Sequence, residues 1–316
     1  MVDYRDRLIT VFGASGFIGR YVAQQLLKTG ARLRAAVRDP KGAWFLHPLG
    51  AVGQVQLVRA DIRDPQDVER AVAGADTVIN LVGILKGDYE AFHVEGPARL
   101  AKAAAAAGCS TLVHVSAIGA DPGSPSDYGR SKGRGELAVR EAFPDATIIR
   151  PSIVYGPEDN FITRFASMGR QLPVLPVMAA GAKFQPVYVA DLARAIAAAA
   201  LEPEKHAGQT YEFGGPRVIT MAELNDSISR LTGRPGRPVA VIPDAVGGLI
   251  AKFTGWLPGA PITMDQWRML QVPNVVGEDA KGFEAFGIRP QPFEAIAGTW
   301  LTHYRKGGRF GAKSPY

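Results

Sequence analysis

Leu8-Ile9-Thr10-Val11-Phe12-Gly13-Ala14-Ser15-Gly16-Phe17-Ile18-Gly19-Arg20-Tyr21-Val22 lies near the N-terminus, and its reading decides the fold. Five β-favouring residues run into three glycines spaced three apart. The apolar period then becomes helical through Phe17, Ile18, Val22 and Leu26. The pattern predicts a strand, a tight turn and a helix start. A pyrophosphate suits such a turn, because glycine lets the backbone approach the phosphates while the first N–H groups and the positive dipole end of the helix face the anion. Gly13 would make the turn, Gly16 would admit the phosphates and Gly19 would let the helix lie close on the strand, with Ser15, Phe17 and Ile18 completing the loop. Glycine turns also merely join strands to helices, so the rest of the chain must decide.

A second strand is expected over Arg32 to Val37, ending in Arg38-Asp39-Pro40. The position past this strand faces the adenosine ribose, where an acid suits NAD and an arginine suits the extra phosphate of NADP. Arg38 leans toward NADP(H), and Asp39 beside it leaves NAD(H) open. Val55 to Val58 reads as a third strand, after which Asp61 and Ile62 fall where an adenine edge could be read. Thr77 to Val82 is a continuous apolar strand of the kind buried on both faces. Leu81, Val82 and Gly83 at its end are candidate cofactor contacts. A helix through Phe92 and Leu100 follows, and Thr111 to Ser116 delivers Ser116 at the end of a fifth strand. Tyr128 and Lys132, four apart, share one face of the next helix. A phenol titrates near 10 and is a poor acid–base at neutral pH unless a cation stabilises its phenolate. Lys132 could supply that charge and grip a ribose, and Ser116 could hydrogen-bond a carbonyl.

These pieces resemble the short-chain dehydrogenase/reductase superfamily in its extended or atypical branch. The matching residues are Gly13, Gly16, Gly19, Asp61, Ser116, Tyr128, Lys132, the segment Ile149 to Pro157 and the segment Pro186 to Ala193. The chain is also similar to the nucleotide-binding accessory subunits of respiratory complex I (alpha-subcomplex subunit 9) and their bacterial relatives. That likeness rests on Thr10 to Val22, Gly53-Gln54, Val78 to Gly83, Phe165-Ala166-Ser167-Met168 and Gln185-Pro186-Val187-Tyr188-Val189. It implies a doubly wound Rossmann-type α/β fold with a parallel sheet of about seven strands, binding of NADP(H), and complex I subunits or another quinone-linked enzyme as partners. It also implies Ser116, Tyr128 and Lys132 as the catalytic set and Pro151, Ser152 and Val154 near the nicotinamide. The alternative is a stand-alone oxidoreductase or epimerase that uses this set on a carbonyl or quinone-like small molecule. His93 departs from the asparagine usual in extended epimerases. Gly133 and Gly135 sit inside a helix, where each costs about 1 kcal/mol relative to alanine, and suggest close backbone approach.

The expected organisation is a dinucleotide-binding core over 1–155 completed by 186–216, an interleaved substrate or cap region over 156–185 and 217–305, and a tail over 306–316. Leu249, Ile250, Phe253 and Trp256, among five prolines, could line a lipid-like pocket or face a partner, or simply pack a small cap. At 316 residues and 47% hydrophobic composition the chain can bury a sizeable core. No apolar run approaches the roughly 20 residues of a membrane helix, and no signal-like start is present. A cytoplasmic protein is expected, with at most peripheral contact on the cytoplasmic face of the inner membrane. The single Cys109 excludes an internal disulfide, and the five histidines show no metal-ligand spacing. No phosphate-binding P-loop, nucleophile elbow or nucleic-acid module is found. A net charge of +6 favours acidic partners, with a local excess at Arg305, Lys306, Arg309 and Lys313.

Overall fold

The computed structural model describes residues 4–257, 260, 262–305 and 307–310, and divides into two compact units. Pro258, Pro261, Lys306, Lys313 and the side chain of Arg309 lie outside the described residues, and with them most of the expected basic tail. One unit comprises residues 1–151, 189–213 and 278–288; the other comprises 152–188, 214–277 and 289–316.

The first unit is built on seven parallel strands: β1 (Leu8–Phe12), β2 (Arg32–Val37), β3 (Val55–Arg59), β4 (Thr77–Asn80), β5 (Thr111–Val115), β6 (Thr147–Pro151) and β7 (Thr210–Phe213). Their order across the sheet is β7-β6-β5-β4-β1-β2-β3, so the direction of winding reverses beside β1, as the doubly wound expectation requires. Helices α1 (Phe17–Lys28), α2 (Pro65–Val72), α3 (Gly96–Ala106), α4 (Asp127–Ala142) and α5 (Val189–Leu201) cover it. Phe12, Val78, Leu100, Leu112, Val139 and Ile148 pack into one core between sheet and helices. Arg150 on β6 grips Glu136 of α4 through two bonds of 2.9 and 2.6 Å, which ties that helix to the sheet.

Two elements depart from expectation for visible reasons. β4 stops at Asn80 rather than Val82, because the Val82 N–H turns from the ladder to donate to Asn80 Oδ1 at 3.0 Å. The helix expected through Phe92 opens as a π-helical turn over Glu90–Glu95 before α3 begins. Pro97 has no N–H to offer the His93 carbonyl four residues back, so an unbroken α-helical ladder is impossible here.

In the second unit, helices Ile162–Gln171, Met221–Leu231 and Phe293–Leu301 enclose a core centred on Tyr155, whose ring meets Phe293, Tyr188 and Trp300. Thr220 and Glu223 cap Met221–Leu231 reciprocally. The proline-rich stretch after Leu172 contains a strand, Leu175–Met178, paired in parallel with Val239–Ile242. Pro176 lies within it, and a two-stranded ribbon is where proline is tolerated. Among the described residues no helix is long and apolar enough to cross a membrane.

Candidate functional site

The turn after β1 has the geometry its glycines foretold. Gly13 has φ +82°, and a Cβ placed there would lie 3.3 Å from the Leu81 backbone. At Gly19 a Cβ would fall 2.2 Å from the Gly13 carbonyl oxygen, so any other residue would push α1 off the sheet. Gly16 is the N-cap of α1; it offers no side-chain cap, and the first turn holds no acid. The helix therefore turns a positive end, with no cap or acid in its own first turn, toward the C-terminal edge of the sheet. This is a cradle a pyrophosphate fits. Ser15 is half-buried beside the exposed Gly16, and Phe17 and Ile18 are half-buried in the first turn of α1.

Past β2, Arg38 is exposed while the Asp39 carboxylate folds back to accept the Lys41 N–H at 3.0 Å. At the end of β3, Asp61 is held by Arg63 at 2.7 Å, and this bond holds its carboxyl below the usual range, with Arg38 adding a smaller pull. Ile62 follows Asp61 at this strand end. Its side chain is buried in the core and its carbonyl accepts from Arg99.

A buried polar cluster lies between the ends of β4 and β5 and helix α4. Lys132 is 3% exposed, and its Nζ donates to the Val115 carbonyl at 2.9 Å, beside Ser116. Burial lowers the Lys132 ammonium to about 8, against an upward pull from Glu136. A Cβ on Gly83 would lie 4.0 Å from Lys132 Nζ and 3.9 Å from His93 Nε2, so Gly83, Lys132 and His93 adjoin. His93 Nε2 accepts the Ile84 N–H at 3.0 Å, and its Nδ1 meets Ser131 Oγ at 2.9 Å while that hydroxyl donates to the Tyr128 carbonyl. Those partners assign the neutral Nδ1–H tautomer. Burial, and then the Lys132 charge, lower His93 to about 3. The Tyr128 ring stands edge-on to His93 and Tyr89, and burial, reinforced by Tyr89, pushes its phenol up to about 12. Among the described residues, Ser116 Oγ and His114 Nε2 are both buried without a hydrogen-bond partner. His114 Nδ1 takes a bond from the Asn80 amide at 3.1 Å, which leaves Nε2 as the protonated nitrogen.

The structure thus brings Gly83, Ser116 and Lys132 to one place and sets Tyr128 against its neighbour His93. Leu81 and Val82 lead into Gly83 from β4, and Pro151 ends β6, where its carbonyl accepts the Ile118 N–H. Ser152 and Val154 fall in the second unit. There Ser152 Oγ is engaged by Asn274 at 2.7 Å, and Val154 pairs with Val187. Asn80, Tyr89, His114 and Ser131 were not singled out from the sequence. The signal available was a polar residue near the C-terminal end of each of two apolar strands, Asn80 and His114. Gly133 and Gly135 make the close approaches they suggested: their Cβ atoms would lie 2.5 Å from the Asp121 backbone and 1.9 Å from the His93 carbonyl oxygen.

A doubly wound sheet with this glycine cradle defines a nucleotide-binding class, and the chain belongs to the NAD dependent epimerase/dehydratase family, whose model matches residues 9–214. It is 36% identical over 90% of its length to the mouse mitochondrial NADH dehydrogenase [ubiquinone] 1 alpha subcomplex subunit 9, covering 77% of that protein. It is 33% identical to a ceramide reductase of Caulobacter vibrioides over 72% of this chain and 80% of that one. An NADPH-dependent quinone oxidoreductase of Escherichia coli, solved with NADPH, shares the fold with a TM-score of 0.74 and 22% identity, over 93% of this chain and 99% of that one.

Proposed function

We propose that this chain holds NADP(H) at the Gly13–Gly19 turn and serves as an accessory protein of respiratory complex I. The observation that carries the reading is the 36% identity to the complex I subunit over 90% of the chain, well beyond residue 214 where the family match ends. In this reading the backbone from Gly13 to Gly19, with Ser15, Phe17 and Ile18, receives the pyrophosphate, and Arg38 receives the ribose phosphate. Asp61 and Ile62 bound the adenine end, and Leu81, Val82, Gly83 and Pro151 lie along the strand ends, with Ser152 and Val154 following Pro151 in the chain. The exposed Arg38, beside an Asp39 carboxylate already engaged by the Lys41 N–H, favours NADP(H) over NAD(H).

Lys132 and Tyr128 hold the nicotinamide ribose, and Ser116, whose hydroxyl has no partner among the described residues, offers it to whatever carbonyl lies beside it. A nicotinamide would supply hydride transfer when bound. The groups of this chain favour holding over proton transfer, because a phenol at about 12 surrenders its proton poorly at neutral pH. The ceramide reductase likeness and the retained Ser116, Tyr128 and Lys132 support a second reading, a reductase acting on a carbonyl.

The two readings part on company and turnover. Purified chain should release NADP(H) on denaturation, detected by mass spectrometry, and tagged chain should recover complex I subunits from native membranes. Recovery of no respiratory subunit, together with NADPH oxidation abolished in Tyr128→Phe, would replace the accessory reading with the reductase.

A further inference from the structure

The helix Asp244–Thr254 of the second unit is amphipathic in the reverse sense. Its small residues face the protein: Gly247 and Ala251 are buried, and Cβ atoms added at Gly247 and Gly248 would lie 2.7 and 3.4 Å from the Trp267 indole. Its large residues face solvent. Leu249 is 55% exposed, Phe253 66% and Trp256, just beyond the helix, 78%, with Val246 and Leu257 alongside. Packing of a small cap, one of the expectations for these residues, is therefore not what Leu249, Phe253 and Trp256 do, while Ile250 is half-buried. At positions 246, 249 and 253 the exposed residues form one stripe about 10 Å long on the helix, and Trp256 and Leu257 just beyond its end extend it as a ridge. Such a stripe normally faces a core, and one left in water marks an interaction surface.

The charge of the molecule says what covers it. Among the described side chains, the unit that carries this ridge holds 11 Lys and Arg against 7 Asp and Glu, whereas the other holds 22 against 22, so the positive excess lies in the unit that carries the ridge. The Trp256 indole N–H is already donated to the Phe253 carbonyl at 3.1 Å, so the ring can leave water without stranding a polar group. Lys252 is exposed beside Phe253 at the rim of the stripe. A protruding apolar and aromatic ridge on a basic body matches an interfacial helix on an anionic surface.

We propose that the ridge formed by Val246, Leu249, Phe253, Trp256 and Leu257 inserts into the headgroup–acyl boundary of an anionic lipid bilayer and holds the protein peripherally on it. The inference is independent of the nucleotide reading, since no residue of the glycine cradle takes part.

The test is co-sedimentation of the full chain with vesicles of phosphatidylcholine alone or mixed with phosphatidylglycerol. The chain should pellet with the anionic vesicles and be released as salt rises. Brominated acyl chains should quench tryptophan emission in the wild type, and this quenching should vanish in Trp256→Phe. Replacing Leu249, Phe253 and Trp256 together by Gln should lower the bound fraction at least about tenfold. These side chains are exposed, so thermal unfolding should be unchanged. Equal pelleting of wild type and triple variant would overturn the proposal. So would a wild type that ignores both vesicles, including the case in which the triple variant instead loses a soluble protein partner.

Discussion

Lys132→Met should make the nucleotide-free protein more stable at neutral pH while weakening its grip on nucleotide. The lysine is 3% exposed and burial lowers its ammonium to about 8, whereas in an unfolded chain it titrates near 10.4. A little over two pH units at 1.36 kcal/mol each puts the cost of keeping it charged at about 3 kcal/mol. Methionine keeps the apolar stem but loses the bond to the Val115 carbonyl, worth about 1 kcal/mol. The variant should therefore gain about 2 kcal/mol at pH 7. Between pH 8 and about 10 the unfolded wild type binds more protons than the folded one, so wild-type stability rises with pH and the gap closes. Tyr128 acts in the opposite sense only above about pH 10, where an unfolded tyrosine ionises and the folded one does not, and it does so in both proteins. Urea unfolding at pH 7, 8.5 and 10 reads the difference. Parallel curves for the two proteins across that range, or a variant less stable at pH 7, would refute the electrostatic reasoning.

His93 is held neutral down to about pH 3, below its unfolded value near 6.5, so its contribution is present above pH 6.5 and is lost as pH falls toward 3. His93→Gln should flatten that part of the acid-unfolding profile relative to wild type, as read by circular dichroism against pH. Gly135→Ala would drive a methyl into the His93 carbonyl oxygen and should cost several kcal/mol, about 3 or more, in denaturant unfolding, far beyond the helix-propensity gain of alanine. Arg38→Ala should weaken NADPH binding by about 1 to 3 kcal/mol in calorimetry and leave NADH nearly unchanged; equal losses would remove the reason for an NADP(H) preference.

The dinucleotide fold was legible because its signals are local. Gly13 and Gly19 are dictated by a positive φ and by a carbonyl 2.2 Å from a would-be Cβ, and both constraints arise within one turn. The positions of Ser116, Tyr128 and Lys132, at the end of β5 and on one face of α4, were legible for the same reason, each being set by the end of one strand or one turn of helix. The Asn80–His114 pair was not, since it depends on two strands aligning in register, Asn80 opposite His114, which only the sheet decides. The direction of the Asp244–Thr254 ridge was equally hidden. Apolar residues at helical spacing indicate a stripe, but whether it faces a core depends on Trp267 already filling the other side, against the glycines.

The π-helical turn at Glu90–Glu95 has a consequence for how this chain tolerates insertions and deletions. Relative to an α-helix it holds one surplus residue, and that surplus sets the azimuth at which His93 leaves the backbone. Excising a single residue there would restore ordinary helical winding and swing the imidazole by roughly 100°, out of reach of both the Ile84 amide and Ser131 Oγ. A point substitution can alter what stands at position 93, but only a change of length can alter where it points.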